Sequence, residues 1–139
     1  MPNIASPEIL ARVKESFEWW NDGTPELMLN DYAEDGELDL TAVFTDISVY
    51  RGHDEMRHQI KEFWETWAGL KMESFDVFDA GPDRFVVDVR LWGRGKRSGA
   101  EVDQRFAMLY TLREGDNKIV RAQLFPTVDA AMAAAAASA

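Results

Sequence analysis

The spacing of apolar residues divides this chain into a helical first half and an alternating second half. Ile9, Val13, Phe17 and Trp20 recur at three- or four-residue intervals, the period of a helix buried along one face. Pro7 and Glu8 suit its first turn, with Ser6 as N-cap, and Asn21-Asp22-Gly23 end it, so the pattern predicts a helix over Glu8–Trp20. Thr24-Pro25-Glu26 restarts a helix through Leu27, Met28, Leu29 and Tyr32. Alternation in Glu37-Leu38-Asp39-Leu40 predicts a first strand, and an irregular piece carrying Asp46 and Tyr50 leads to Arg51 and Gly52. Met56, Ile60, Phe63 and Trp67 then predict a third helix from His53 to Ala68, before Gly69.

From Lys71 the period changes to two. Lys71–Phe78 reads as a strand and Ala80-Gly81-Pro82-Asp83 as a turn; FVVDVRLWG, EVDQRFAMLYTL and NKIVRAQLF follow, separated only by glycine-rich or charged turns. This is the pattern of an antiparallel meander. Helices first and sheet second predict an α+β fold rather than a wound parallel sheet. A curved sheet folded over helices encloses a pocket, which makes a small apolar molecule the first candidate ligand. The last segment, DAAMAAAAASA (residues 129–139), has high helix propensity but little apolar area per residue. It is expected to be a frayed helix docked through Val128 and Met132.

Composition narrows the partners. The 139 residues, 46% of them hydrophobic, fit one domain with a continuous core. No apolar run approaches the roughly 20 residues of a membrane span, and Met1–Ser6 carries no basic and apolar leader, so a soluble, unexported chain is expected. Cysteine is absent; thiol nucleophiles, disulfides and thiolate zinc sites are excluded, and the reducing cytoplasm is the compatible compartment. A net charge of -10 disfavours nucleic acid. Arg90, Arg94, Lys96 and Arg97 crowd one hairpin, where a solvated tip is the simpler reading.

The order and spacing of NDG, YRGHDEMR, SGAEVD and LREGDNKIVR resemble the SnoaL-like proteins of the NTF2-like superfamily, from Ile9 to Met132. The resemblance implies a cone-shaped barrel: a curved, mostly antiparallel sheet wrapped over three helices of the N-terminal half, with the outer sheet face forming a homodimer. It implies isomerase, cyclase or hydratase-like chemistry on a small molecule, or binding without turnover; a closed structural or interaction scaffold is the alternative. Alignment to the ketosteroid isomerases through Asn21 and Lys118 puts Ser16 at the tyrosine position, Leu40 at the base position and Met108 at the acidic donor position. The isomerase machinery is therefore missing, and the aldol cyclases of the family lose their acid at Met108 as well. Compared with limonene-type epoxide hydrolases, Leu124 stands at the second aspartate position. Strand alternation also turns Asp88 and Arg90 outward, as an ion-paired surface.

Three residues are left as catalytic candidates. Asp39 lies beside the base position, although both flanking leucines favour the core and turn it outward. Asp46 lies on the pocket rim with no regular neighbour to fix its direction. His53 opens the third helix near the cavity, whereas His58 falls on the opposite face. An imidazole titrates near neutrality and suits proton transfer. Two separated histidines without a carboxylate partner predict no metal, and no cofactor is expected. Trp20, Tyr32, Leu40, Phe63, Trp64, Trp67, Gln104, Met108 and Tyr110 are the expected ligand-binding set, with Gln104 and Tyr110 as the polar groups on the inward parity. Val86, Trp92, Leu109 and Phe125 fall on the opposite parity, an apolar patch that predicts the homodimer.

Overall fold

Ser6 Oγ accepts a hydrogen bond from the Ile9 amide and starts α1, Pro7–Asn21, whose buried stripe is Val13, Phe17 and Trp20. A computed structural model describes residues 6–42 and 49–137. The second expected helix is a seven-residue 3-10 helix, Pro25–Asp31. So few residues do not repay the nucleation of an α-helix, and Tyr32, expected at its end, opens strand β1, Tyr32–Asp39. Tyr50 lies not in an irregular piece but in β2, Val49–Arg51. Gly52, at φ +81, turns the chain directly into α2, Gly52–Thr66.

That helix stops short of the expected Ala68. Trp67 and Ala68 already belong to β3, Trp67–Asp79, and Gly69, at φ +62, sits within the β3 register shift rather than at a helix end. The meander follows as β4, Arg84–Gly95, β5, Glu101–Leu112, and β6, Ile119–Phe125. Strand order is β2-β1-β6-β5-β4-β3. All neighbours are antiparallel except β1 and β6, which run parallel. The sheet is curved but unclosed, with β2 and β3 as its edges.

The two sheet faces carry separate cores. On the concave face Val77, Phe85, Val87, Val89, Phe106, Met108, Tyr110 and Leu124 meet Val13 and Phe17 of α1 and Met56 and Ile60 of α2. On the convex face Val86, Ala107 and Leu109 are covered by Ala131 and Ala135 of α3, Val128–Ala137. The Ala-rich segment is thus a helix docked along its buried alanines, with Val128 and Met132 flanking. The Arg84 guanidinium donates to the Ala135 carbonyl near its C-terminal end. This revises the motive for the outer-face dimer: Val86 and Leu109, expected to be exposed, lie at 0% and 2% exposure beneath the chain's own helix. Among the described residues no helix is long and apolar enough to cross a membrane.

Candidate functional site

The concave core is incompletely filled. Between the sheet, the 3-10 helix and α2 lies a cavity of about 120 Å³. Met28 and Leu29 of the 3-10 helix and Met56, Gln59, Ile60 and Phe63 of α2 cover it; strand residues including Leu38, Val89, Phe106 and Leu124 form its other wall. Of the expected ligand-binding residues, Trp20, Tyr32, Leu40, Phe63, Met108 and Tyr110 line it.

The other three do not. Trp64 packs on Trp20 with ring centroids 5.7 Å apart, behind the wall, and its buried indole N–H has no partner among the described residues. Trp67 is lost to the cavity because α2 ends before it; it lies with Glu65, Thr66 and Gly95 along a shallow polar depression. Gln104 pairs with Leu91 but is exposed. Parity gives the facing of a strand residue, not its depth, and this outer part of the β4–β5 hairpin has little cover.

The acid–base candidates are placed elsewhere. Asp39 turns to the convex face, where its Oδ1 accepts from the Thr41 amide and hydroxyl at 3.0 and 2.6 Å, and Arg121 lies 3.8 Å away. Partial burial works to raise its pKa, but those hydrogen bonds and Arg121 outweigh it and leave the carboxyl below the usual range, a poor base. His53 Nε2 lies 3.0 Å from the Tyr32 carbonyl oxygen. Its neighbours are Glu34, Asp35, Arg113 and Lys118, in an open polar depression outside the cavity. Asp46 lies outside the described residues. Asp88 and Arg90 point outward as expected, in ion pairs with Arg105 at 2.6 Å and Asp103 at 2.8 Å. Among the described residues no group of three His, Asp or Glu side chains comes together as a metal site requires.

Among the described residues, the polar groups open to the cavity come from three side chains. Tyr32 and Tyr110 interact with each other and feel the Asp31 carboxylate; burial above all raises both pKa values, followed by Tyr110 and then Asp31 at Tyr32 and by Asp31 at Tyr110, so both phenols stay protonated. Behind them Ser16 Oγ donates to Asp31 at 3.2 Å and Arg12 stands 3.8 Å from it, around a separate void of about 20 Å³ with room for one water. Gln59, the third, is 6% exposed and the one buried polar residue outside the tyrosines among the described residues. It went unrecognised in the sequence, although Met56, Gln59, Ile60 and Phe63 share one helical face at spacings of three and four.

The motif NDG is structural. Asn21 Nδ2 donates to the Met72 carbonyl at 2.8 Å and its Oδ1 accepts the Met72 amide at 2.9 Å. Lys71 Nζ donates to the Asn21 carbonyl, and Trp20 Nε1 to the Leu70 carbonyl. The end of α1 thereby satisfies the free backbone of an edge strand and holds Trp20 against the cavity.

A sheet curved over helices around an apolar cavity is the NTF2-like architecture. A family model of the SnoaL-like domain matches residues 13–122, and the chain belongs to that family. Solved structures agree in fold. An NTF2-like protein from Burkholderia thailandensis E264 is 26% identical, with 90% of this chain and 95% of that one covered and a TM-score of 0.72. A SnoaL-like polyketide cyclase, so described, from Jannaschia sp. CCS1 is 20% identical over 96% of each chain, TM-score 0.71. A protein of ketosteroid isomerase-like fold from Catenulispora acidiphila DSM 44928, in complex with trimethylamine, is 14% identical over 95% of each chain, TM-score 0.72. No curated protein matches the sequence significantly.

Proposed function

We propose that the protein binds a small, largely apolar molecule inside the cone. The observation that carries this reading is the cavity of about 120 Å³, walled almost wholly by apolar and aromatic side chains. An apolar void near 150 Å³ is enough to admit benzene, so the size suits one ring or a short branched chain. The Catenulispora protein of the same fold is itself seen in complex with a small molecule, trimethylamine. Met28, Met56, Met72 and Met108 contribute to the wall, and flexible thioethers let such a site adapt to shape.

Among the described residues no carboxylate, imidazole or ammonium lines the cavity, so the reading is one of binding. The volume also favours a second reading, a core closed for structural reasons, because ligand pockets usually run to roughly 300–1,000 Å³. Calorimetry with benzene separates the two. Saturable binding that disappears in Met108→Trp, which fills the space, supports the binding site; no uptake by the unmodified protein favours the closed core.

A further inference from the structure

Gln59 places a primary amide in the wall of an otherwise apolar cavity. It lines the cavity at 6% exposure, and among the described residues its amide makes no hydrogen bond with the protein. A primary amide offers two donors and two acceptor sites. Among the described residues the one fully sealed, unpartnered side-chain atom is Trp64 Nε1, so the Gln59 amide keeps access to the cavity space, whose apolar walls satisfy none of these sites. Water alone is a poor partner, since a buried water needs two to four polar contacts, and the two phenols interact with each other beside Asp31. A polar group carried on an apolar body does better, because burial of the body holds it in place.

We infer that Gln59 selects the ligand: a neutral molecule of about one ring's size carrying a single hydroxyl or amide group that hydrogen-bonds the Gln59 side chain. This rests on the cavity-binding reading and adds the polar group to it. A carboxylate or ammonium finds no oppositely charged side chain among the described lining residues, and a fused polycycle exceeds the volume.

Phenol and toluene test the inference, since they differ by hydroxyl against methyl at nearly equal size. Affinities come from calorimetry, and methyl NMR of the four lining methionines reports where each compound sits. The unmodified protein should bind phenol at least as tightly as toluene. Gln59→Leu and Gln59→Met should reverse the order, with phenol weakened ~10-fold or more and toluene unchanged or tighter. Both variants should melt at or above the parent temperature, because no hydrogen bond to the protein is lost. If toluene is preferred from the start, or phenol binding is indifferent to both substitutions, the role of Gln59 is overturned and the cavity remains a binding site. Lower melting of both variants would show a structural hydrogen bond and overturn it too. If neither compound binds the unmodified protein, the cavity reading falls and this inference with it.

Discussion

Met56 is 1% exposed and stands in the wall of the cavity, so Met56→Ala removes packing where the surroundings cannot collapse fully. The expected cost is about 2–5 kcal/mol, read as a lower urea midpoint with an unchanged slope. A surface residue gives the pH response. Asp116 accepts from the Arg113 guanidinium and the Lys118 amide, and its pKa falls from the ordinary 3.8 to about 2. The folded state therefore favours the ionised form. That contribution is complete above pH 4 or so and is lost as pH falls through about 2. A carbon-detected NMR titration should place the midpoint there and move it toward the ordinary value in Arg113→Gln. Residue facing was largely legible from alternation: Leu40, Met108 and Tyr110 point inward while Asp88 and Arg90 point outward. Depth was not, which is why Gln104 misled and Gln59, a polar residue within an apolar helical face, went unread.

Elements were legible where period and punctuation agreed, and less so where the chain changes state without a breaker. The start of α1 was marked by Ser6 and Pro7, and the meander by its turns; no such mark separates Thr66 from Trp67 or Asp31 from Tyr32. The parallel pairing of β1 with β6 leaves no local trace, since those strands lie far apart in sequence. Two element-scale tests follow from the contacts. Asn21→Ala unpairs the β3 backbone at Met72 and should cost about 1–3 kcal/mol by chemical denaturation, with earlier amide exchange in β3. Ala135→Arg forces a long side chain into a position 2% exposed. It should loosen α3, lower the melting temperature and raise binding of an apolar dye to the uncovered Val86 and Leu109.

At the scale of the whole molecule, the protein is expected to leave a steroid enone precursor unisomerised. Leu40 and Met108 line the cavity without a proton acceptor or acidic donor, and Ser16 borders only the neighbouring void. Loss of a single donor to developing charge costs on the order of a hundred- to a thousandfold, and the volume is too small for four fused rings. A kinetic assay at high enzyme concentration checks this, and turnover above background would contradict it. The homodimer expected from the sequence would, among the described residues, have to use the part of the convex face that α3 leaves uncovered, where Phe75 is 43% exposed beneath Arg105 and Arg90 lies over Trp92. If that pairing occurs, light scattering finds a dimer that Trp92→Glu dissociates; a monomer at micromolar and higher concentrations overturns it.

The neighbourhood of β1 and β6 also orders events in time. Leu38 and Leu40 of β1 and Leu124 of β6 stand side by side in one wall of the cavity, and that wall cannot close until the last strand has been made and has paired with β1. Until then the inner faces of α1, the 3-10 helix and α2 have only the early strands to cover them. Long-range closure of this kind is slow because chain entropy must be lost before the contacts form. The wall of the cavity is therefore expected to be the last part of the fold to form, and slowed pairing of β6 with β1 should delay it alone, which pulse-labelled amide exchange would read as late protection in both strands.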